Sequence, residues 1–283
     1  MFTLKIQNTA GELFELTHNS PNYYVTSVQG LTPPPTNINT ATAGIIDGTF
    51  FNSARVEQRN LVITVVLNGD IEANRQRLYK IFPRKTKCTV FFKNKYRDVK
   101  IEGYVETLEA DIFTVREAVQ ISIICPRPYF QALSELYTEL SKTLALFEFP
   151  FSIVEPIPFS EILDTPLCTV NNIGDAECGT VIDIDVLAEV SGLTIVNTTN
   201  NTYFKLNYTF ANGDRVIINS NSGAMGVTLQ RSGTITNLLN YVTQGSTWLK
   251  IMPGENNFTV TFDSGTSEDV KIHFTTALLY GGV

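Results

Sequence analysis

Residues 59–83 read RNLVITVVLNGDIEANRQRLYKIFP, and the change of period inside this stretch decides the fold class. Across Glu57 to Leu67 the side chains alternate. Leu61, Ile63, Val65 and Leu67 fall on one side and Val62 and Thr64 on the other, as in a half-buried strand. After Gly69 the period lengthens. Asp70 has the short acceptor side chain of an N-cap, Glu72 sits in the first turn, and Arg77 and Lys80 sit in the last two, which suits the helix dipole. Ile71, Leu78, Ile81 and Phe82 share one face, and Pro83 stops the run. A strand feeding a helix with a single apolar stripe predicts a helix packed on a sheet.

Upstream, Phe2, Leu4 and Ile6 alternate with polar residues, Leu13 and Phe14 follow the Ala10-Gly11 turn, and Tyr23 to Val28 is β-branched and aromatic. The segment LTPPPTNINTATAG, Leu31 to Gly44, breaks this pattern. Pro33, Pro34 and Pro35 lack backbone donors, so it cannot be a central strand and reads as a flexible loop or an extended arm. Asp47-Gly48, between Ile45-Ile46 and Phe50-Phe51, marks a turn. Downstream, strands are expected from Cys88 to Phe92, from Tyr96 to Val105 after a hairpin at Lys93 to Tyr96, and from Thr114 to Cys125. In the last of these Val115, Val119, Ile121 and Ile123 are in phase, and Pro126 and Pro128 close the domain.

Leu133, Leu136, Leu140, Leu144 and Phe147 recur at helical spacing, which predicts an amphipathic helix from Phe130 to Phe147, either connecting or partner-docking. Pro150, Pro156 and Pro158 then alternate with apolar residues in an extended linker. From Thr165 the chain reads as short strands between turns such as Asn171 to Asp175, Asn212-Gly213-Asp214 and Pro253-Gly254, the pattern of a β-sandwich or jelly roll.

The net charge of -7 is uneven. From Arg55 to Lys100 there are 12 Lys/Arg against 4 Asp/Glu, a local +8 that leaves -15 to the rest. Such a region is a docking face, a nucleic-acid site or a solvated face of strands and one helix, and no nucleic-acid recognition fold accompanies it. The four cysteines show no metal or redox spacing and read as reduced core thiols. The N-terminus has no basic start followed by an apolar stretch, so no secretory signal is expected, and the longest aliphatic run, Leu61 to Leu67, is too short to span a bilayer.

Chemistry-bearing residues are sparse. His18 and His273 have no nucleophile or second ligand at diagnostic spacing. Asp183 and Asp185 point to one side of a strand, which suits Ca²⁺ or a glycosidase pair but equally a solvated strand. No phosphate loop, dinucleotide fingerprint or nucleophile elbow is present. Trp248, the single tryptophan, either stacks on a sugar or fills the sandwich core. The residues therefore point away from an enzyme and call for no cofactor or metal.

The ordered set of motifs resembles the distal tail family of siphophages and related phage-tail-like particles. It runs through Asp47-Gly48, Phe50-Phe51, Arg59, Gly69-Asp70, Glu72, Arg75, Leu78, Tyr79 and Cys125-Pro126-Arg127-Pro128-Tyr129-Phe130. It continues through the Asn171-Asn172-Ile173-Gly174-Asp175 turn, Gly179, Gly213-Asp214, Pro253-Gly254 and Asn256-Asn257. The resemblance implies a mainly β chain in three parts. Residues 1–130 would be a ring-forming, tail-tube-like β barrel or sandwich with one packed helix, 131–165 a helix and Pro-rich linker, and 166–283 a galectin-like β-sandwich. It implies a structural role in the distal tail or baseplate. A hexameric ring of copies of the chain would join the tail tube to the tip or hub and to receptor-binding or other baseplate proteins, with no membrane and no specific nucleic acid as partner. The location it implies is the virion, after synthesis and assembly in a bacterial host cytoplasm. The arm between subunits would comprise Pro33, Pro34, Pro35, Ile38, Ile45 and Ile46, and the basic docking face Arg75, Arg77, Lys80 and Arg84. The alternative is a carbohydrate-binding module reading host-surface glycans, with Trp248 as the stacking residue.

Overall fold

The computed structural model describes residues 2–17, 20–42, 44, 47–145 and 160–283. His18, Ile45, Ile46, Pro150, Pro156 and Pro158 lie outside the described residues, so the readings made of them stay expectations. The chain divides into two units, Met1–Ser134 with Leu279–Val283, and Glu135–Leu278.

The first unit holds β1 (Thr3–Asn8), β2 (Leu13–Thr17), β3 (Tyr23–Gln29), β4 (Thr36–Ala41), β5 (Phe50–Val56), β6 (Arg59–Leu67), α1 (Ile71–Ile81), β7 (Lys87–Lys93), β8 (Asp98–Ala110), β9 (Ala118–Cys125) and the start of β10 (Phe130–Glu139). Seven strands pair antiparallel in the order β2-β1-β7-β8-β9-β6-β3, and β10 joins β8 through Gln131↔Lys100 and Ala132↔Val99. No ring of hydrogen-bonded strands closes among the described residues. The outermost strands, β2 and β3, meet instead through the rings of Phe14 and Tyr23, edge to face at 4.9 Å.

Alternation builds the core. Leu61, Ile63 and Val65 of β6 lie opposite Ile123, Ile121 and Val119 of β9, and all six are buried. The helix forms where its signals place it. The Asp70 carboxylate accepts from the Ala73 N–H at 3.1 Å, and the Phe82 N–H closes the last turn on the Leu78 carbonyl at 2.9 Å. Leu78, Ile81 and Phe82 are buried, each worth about 1.5–3 kcal/mol by apolar burial. Asn74 locks the helix to the sheet, because its Oδ1 accepts from the Tyr23 hydroxyl at 3.1 Å.

Two expectations fail here. Residues 130–147 hold no helix among those described: β10 is followed by β11 (Ser141–Ala145). The leucine spacing mimics a helical stripe, but ladder pairing with β8 sets a period of two that buries Phe130 and Ala132 and leaves Leu133 exposed. Further along, the Leu140 N–H donates to the Ile272 carbonyl at 3.0 Å. The strand expected from Thr114 begins only at Ala118, and Val115 stands fully exposed in the β8–β9 turn, not in the core.

The second unit adds β12 (Ser160–Asn172), β13 (Cys178–Gly179), β14 (Val181–Val186), β15 (Val190–Asn197), β16 (Thr202–Phe210), β17 (Arg215–Asn219), β18 (Gly226–Arg231), β19 (Thr234–Asn237), β20 (Lys250–Ile251), β21 (Gly254–Thr261) and β22 (Val270–Tyr280). Within it, one sheet runs β19-β18-β17-β14-β22 and the other β11-β12-β21-β15-β16. Their inner faces meet in a sandwich core, for example Phe258 of β21 against Phe274 of β22 at 4.9 Å. The edge of β16 is covered from within the chain. Val242 bridges Leu206, and the Thr243 and Thr247 N–H groups donate to the Lys205 and Tyr203 carbonyls at 2.9 and 2.8 Å. Buried side-chain amides fix the turns singled out in the sequence. Asn172 donates to the Ala176 and Ile251 carbonyls at 3.0 and 3.1 Å, and Asn256 to those of Met252 and Gly254 at 2.7 and 3.0 Å.

Candidate functional site

Three features of the first unit stand out, and the hairpin after the prolines comes first. Thr36–Ala41 is not a loop but strand β4, paired only with β5 in a two-stranded hairpin that the Glu57 N–H ties to the Pro35 carbonyl at 2.9 Å. Cross-strand partners share a face. The register Thr36↔Val56, Ile38↔Ala54 and Thr40↔Phe51 therefore collects Ile38, Phe51, Ala54 and Val56 on one side, and Asn37↔Arg55 and Asn39↔Ser53 put polar groups on the other, with Ala41↔Phe50 at its tip. Ile38 is 61% and Phe51 67% exposed and Ala54 is exposed too, so among the described residues this side is largely open, with Val56 partly buried at the root.

The root of that hairpin is built around Arg59. This residue has the same parity as Leu61, Ile63, Val65 and Leu67 and so enters the buried column of β6, where it is 1% exposed. Its guanidinium donates to the carbonyls of Gly30, Thr32, Pro128 and Gly281, with 2.7 Å to both Thr32 and Pro128, and stacks on the Phe130 ring at 4.4 Å. Burial pulls its pKa below the ordinary arginine value. A charge in an otherwise apolar alternating column is the sequence signal for this cluster.

The basic residues divide. Arg75 is buried and held between Glu117, at 2.7 Å, and Glu72, so it is a structural ion pair and leaves the expected docking face. Glu117 raises its pKa further. Arg77, Lys80 and Arg84 stay exposed, with Arg77 over the Phe14 ring at 5.7 Å. The Arg75–Glu117 pair also anchors the β8–β9 turn, whose tip shows Phe113 and Val115 wholly to solvent.

In the second unit the residues with possible chemistry are engaged structurally. Asp183 forms a two-point ion pair with Arg215, and Asp185 lies 4.0 Å from the same guanidinium. His273 stacks on Tyr137 and shares a hydrogen bond with its hydroxyl at 2.5 Å. Trp248 is half-buried, lies outside any strand and covers Phe204 at 5.2 Å between ring centres. Asp214, 2% exposed, is clamped by Arg231 and accepts from the Ala211 N–H at 2.8 Å; these bonds hold its carboxyl below the usual carboxylate range. All four cysteines are free and buried, and burial pushes Cys88, Cys125 and Cys168 up to about 12 and Cys178 to about 11. Among the described residues no three His, Cys, Asp or Glu side chains converge to hold a metal, and no helix is long and apolar enough to cross a membrane.

Residues 173–277 match the family described as siphovirus-type tail component, C-terminal domain. Among solved structures the chain is similar to the Dit protein of phage SPP1, described as a paradigm of the hub adsorption apparatus in phages infecting Gram-positive bacteria. The identity is 14% and the TM-score 0.70, over 97% of this chain and 98% of that one. It is also similar to a chain of the phage P2 baseplate in its activated conformation, solved with Ca and with Sr, at 10% identity and a TM-score of 0.50 over the same shares of both chains. At these identities the likeness is one of fold. No curated protein sequence matches the chain.

Proposed function

We propose that this chain is a structural, non-catalytic component of a phage tail tip or baseplate, of the distal-tail type. Its first unit closes with copies of itself into a ring, hexameric by the family resemblance, that joins the tail tube to the tip. Its galectin-like second unit offers docking surface to receptor-binding or other baseplate proteins, and its place is the virion.

The observation that carries this reading is the β4–β5 hairpin. A two-stranded hairpin is marginal in water unless something covers its apolar side. Here Ile38, Phe51 and Ala54, with the partly buried Val56, form such a side, and the first three are exposed among the described residues. A second copy is the economical occupant, because a head-to-tail contact repeated around an axis closes a ring when the rotation fits the copy number. The family match over residues 173–277 and the likeness in fold to a phage hub protein support the same assignment. Arg77, Lys80 and Arg84 offer a positive patch to an acidic neighbour.

The test is the assembly state. Light scattering and negative-stain microscopy of the purified chain should show closed rings. The double substitution Ile38→Ser/Phe51→Ser should leave the far-ultraviolet circular dichroism unchanged and abolish the rings, since both side chains are solvated in the single subunit. A chain that stays monomeric at every concentration would remove the basis of the proposal.

A further inference from the structure

Pro33, Pro34 and Pro35 have no N–H, so these three residues can be held only through their carbonyls; Glu57 at the end of β5 takes that of Pro35, and the carbonyls just before the prolines are taken by other donors. Two donors far apart in the sequence reach the stretch before the prolines. Arg59 takes the carbonyls of Gly30 and Thr32, and the Val283 N–H takes that of Leu31, between them, at 3.1 Å. Gly30 itself needs its positive φ of 83° and its missing side chain, since a Cβ there would lie 2.1 Å from the Asn60 carbonyl oxygen.

Residues 279–283 thus pack onto the first unit, with Gly281 buried and its neighbours partly exposed. Gly281 supplies one of the four carbonyls on the Arg59 guanidinium. Gly282 accepts from Arg97 and packs so closely on the root that a Cβ would meet the Leu31 carbonyl oxygen and the Pro33 Cδ, both at 3.1 Å. The Arg97 guanidinium also lies over the Tyr280 ring at 4.3 Å. Without this segment a buried guanidinium keeps N–H donors that no longer meet Gly281, and the Leu31 carbonyl loses its partner, a combination that buried polar groups resist strongly.

We infer that residues 279–283 are a latch that sets the arm's root, so that the arm is competent to engage another copy only after the latch has closed. Translation proceeds from the N-terminal side, so residues 279–283 are made after residues 135–278 of the second unit. Assembly by the first unit is thereby deferred until the second unit exists, and incomplete chains do not enter rings. The deferral rests on the ring-forming reading above; the control of the hairpin by the latch does not.

The experiment compares the full chain with Gly282→Val and with a deletion of 279–283, following amide exchange by mass spectrometry and ring content by sedimentation. Trp248 emission reports whether the second unit is folded. In both variants, exchange in 36–41 and 50–57 should rise about tenfold or more, as local opening becomes easier. Ring content should fall by a similar factor, with Trp248 emission unchanged. If the deletion fails to fold, Gly282→Val alone decides. Hairpin exchange equal to that of the full chain would overturn the latch. Faster exchange in the variants, with a full chain that never forms rings, would keep the latch and overturn the ring.

Discussion

Replacing Arg59 by Met tests the most demanding feature of the first unit. Methionine keeps most of the length and the contact with Phe130 but removes every donor. The carbonyls of Gly30, Thr32, Pro128 and Gly281 then lose their shared partner in a site that is 1% exposed. A net hydrogen bond is worth about 1 kcal/mol, and bonds to a charged group more. Part of the gross gain is offset because the buried charge no longer has to leave water. Four such bonds, less the desolvation cost recovered when the charge is removed, leave a loss of about 3–5 kcal/mol. With a guanidinium chloride slope of about 4 kcal/mol per molar, the midpoint should drop by roughly 1 M. Circular dichroism follows both units, and Trp248 fluorescence follows only the second. Arg59→Met should therefore shift the first-unit transition and move the fluorescence transition by less than about 0.5 kcal/mol, as expected for sites that share no partners. A first-unit shift below about 1 kcal/mol would refute the claim that the four carbonyls depend on this guanidinium.

Two further outcomes are expected. Asp214 has its pKa depressed in the folded chain by Arg231, so its contribution is fully present above the ordinary carboxylate range, near pH 4, and is lost as pH falls through the lower folded value; thermal unfolding followed by Trp248 should decline between pH 5 and pH 2 more in the native chain than in Asp214→Asn. The four thiols, raised to about 11–12 by burial, should react with a disulfide reagent at pH 8 only after denaturant is added, and fast labelling of the folded chain would contradict their burial.

How much was legible in the sequence depended on whether local and long-range forces agree. Helix α1 could be read because cap, stripe and terminating proline all act within a dozen residues, and β6 because one face is buried along its length. Segment 130–147 could not. Its leucines fit a helix as well as a strand, and the choice is made by β8, which is distant in sequence. Strand β4 was hidden for the opposite reason: its pairing serves a hairpin without a core, so Thr36–Ala41 never shows the apolar alternation that burial would impose. At the candidate site, charge counting grouped Arg75 with Arg77, Lys80 and Arg84, but Glu117 lies forty-two residues along the chain and no local pattern announces the pair. Arg59 was readable in principle, since its parity with Leu61 places a cation where only an interior can receive it.

The cover over β16 bears on how such a chain behaves at high local concentration. A bare strand edge accepts any other strand, in register or not, and a protein that meets many copies of itself would risk sheet-to-sheet fibrils. By spending residues 242–247 on that edge, the second unit withdraws one open ladder from circulation. At that edge, contact between copies is thereby left to side-chain surfaces, which discriminate between neighbours better than backbone amides can.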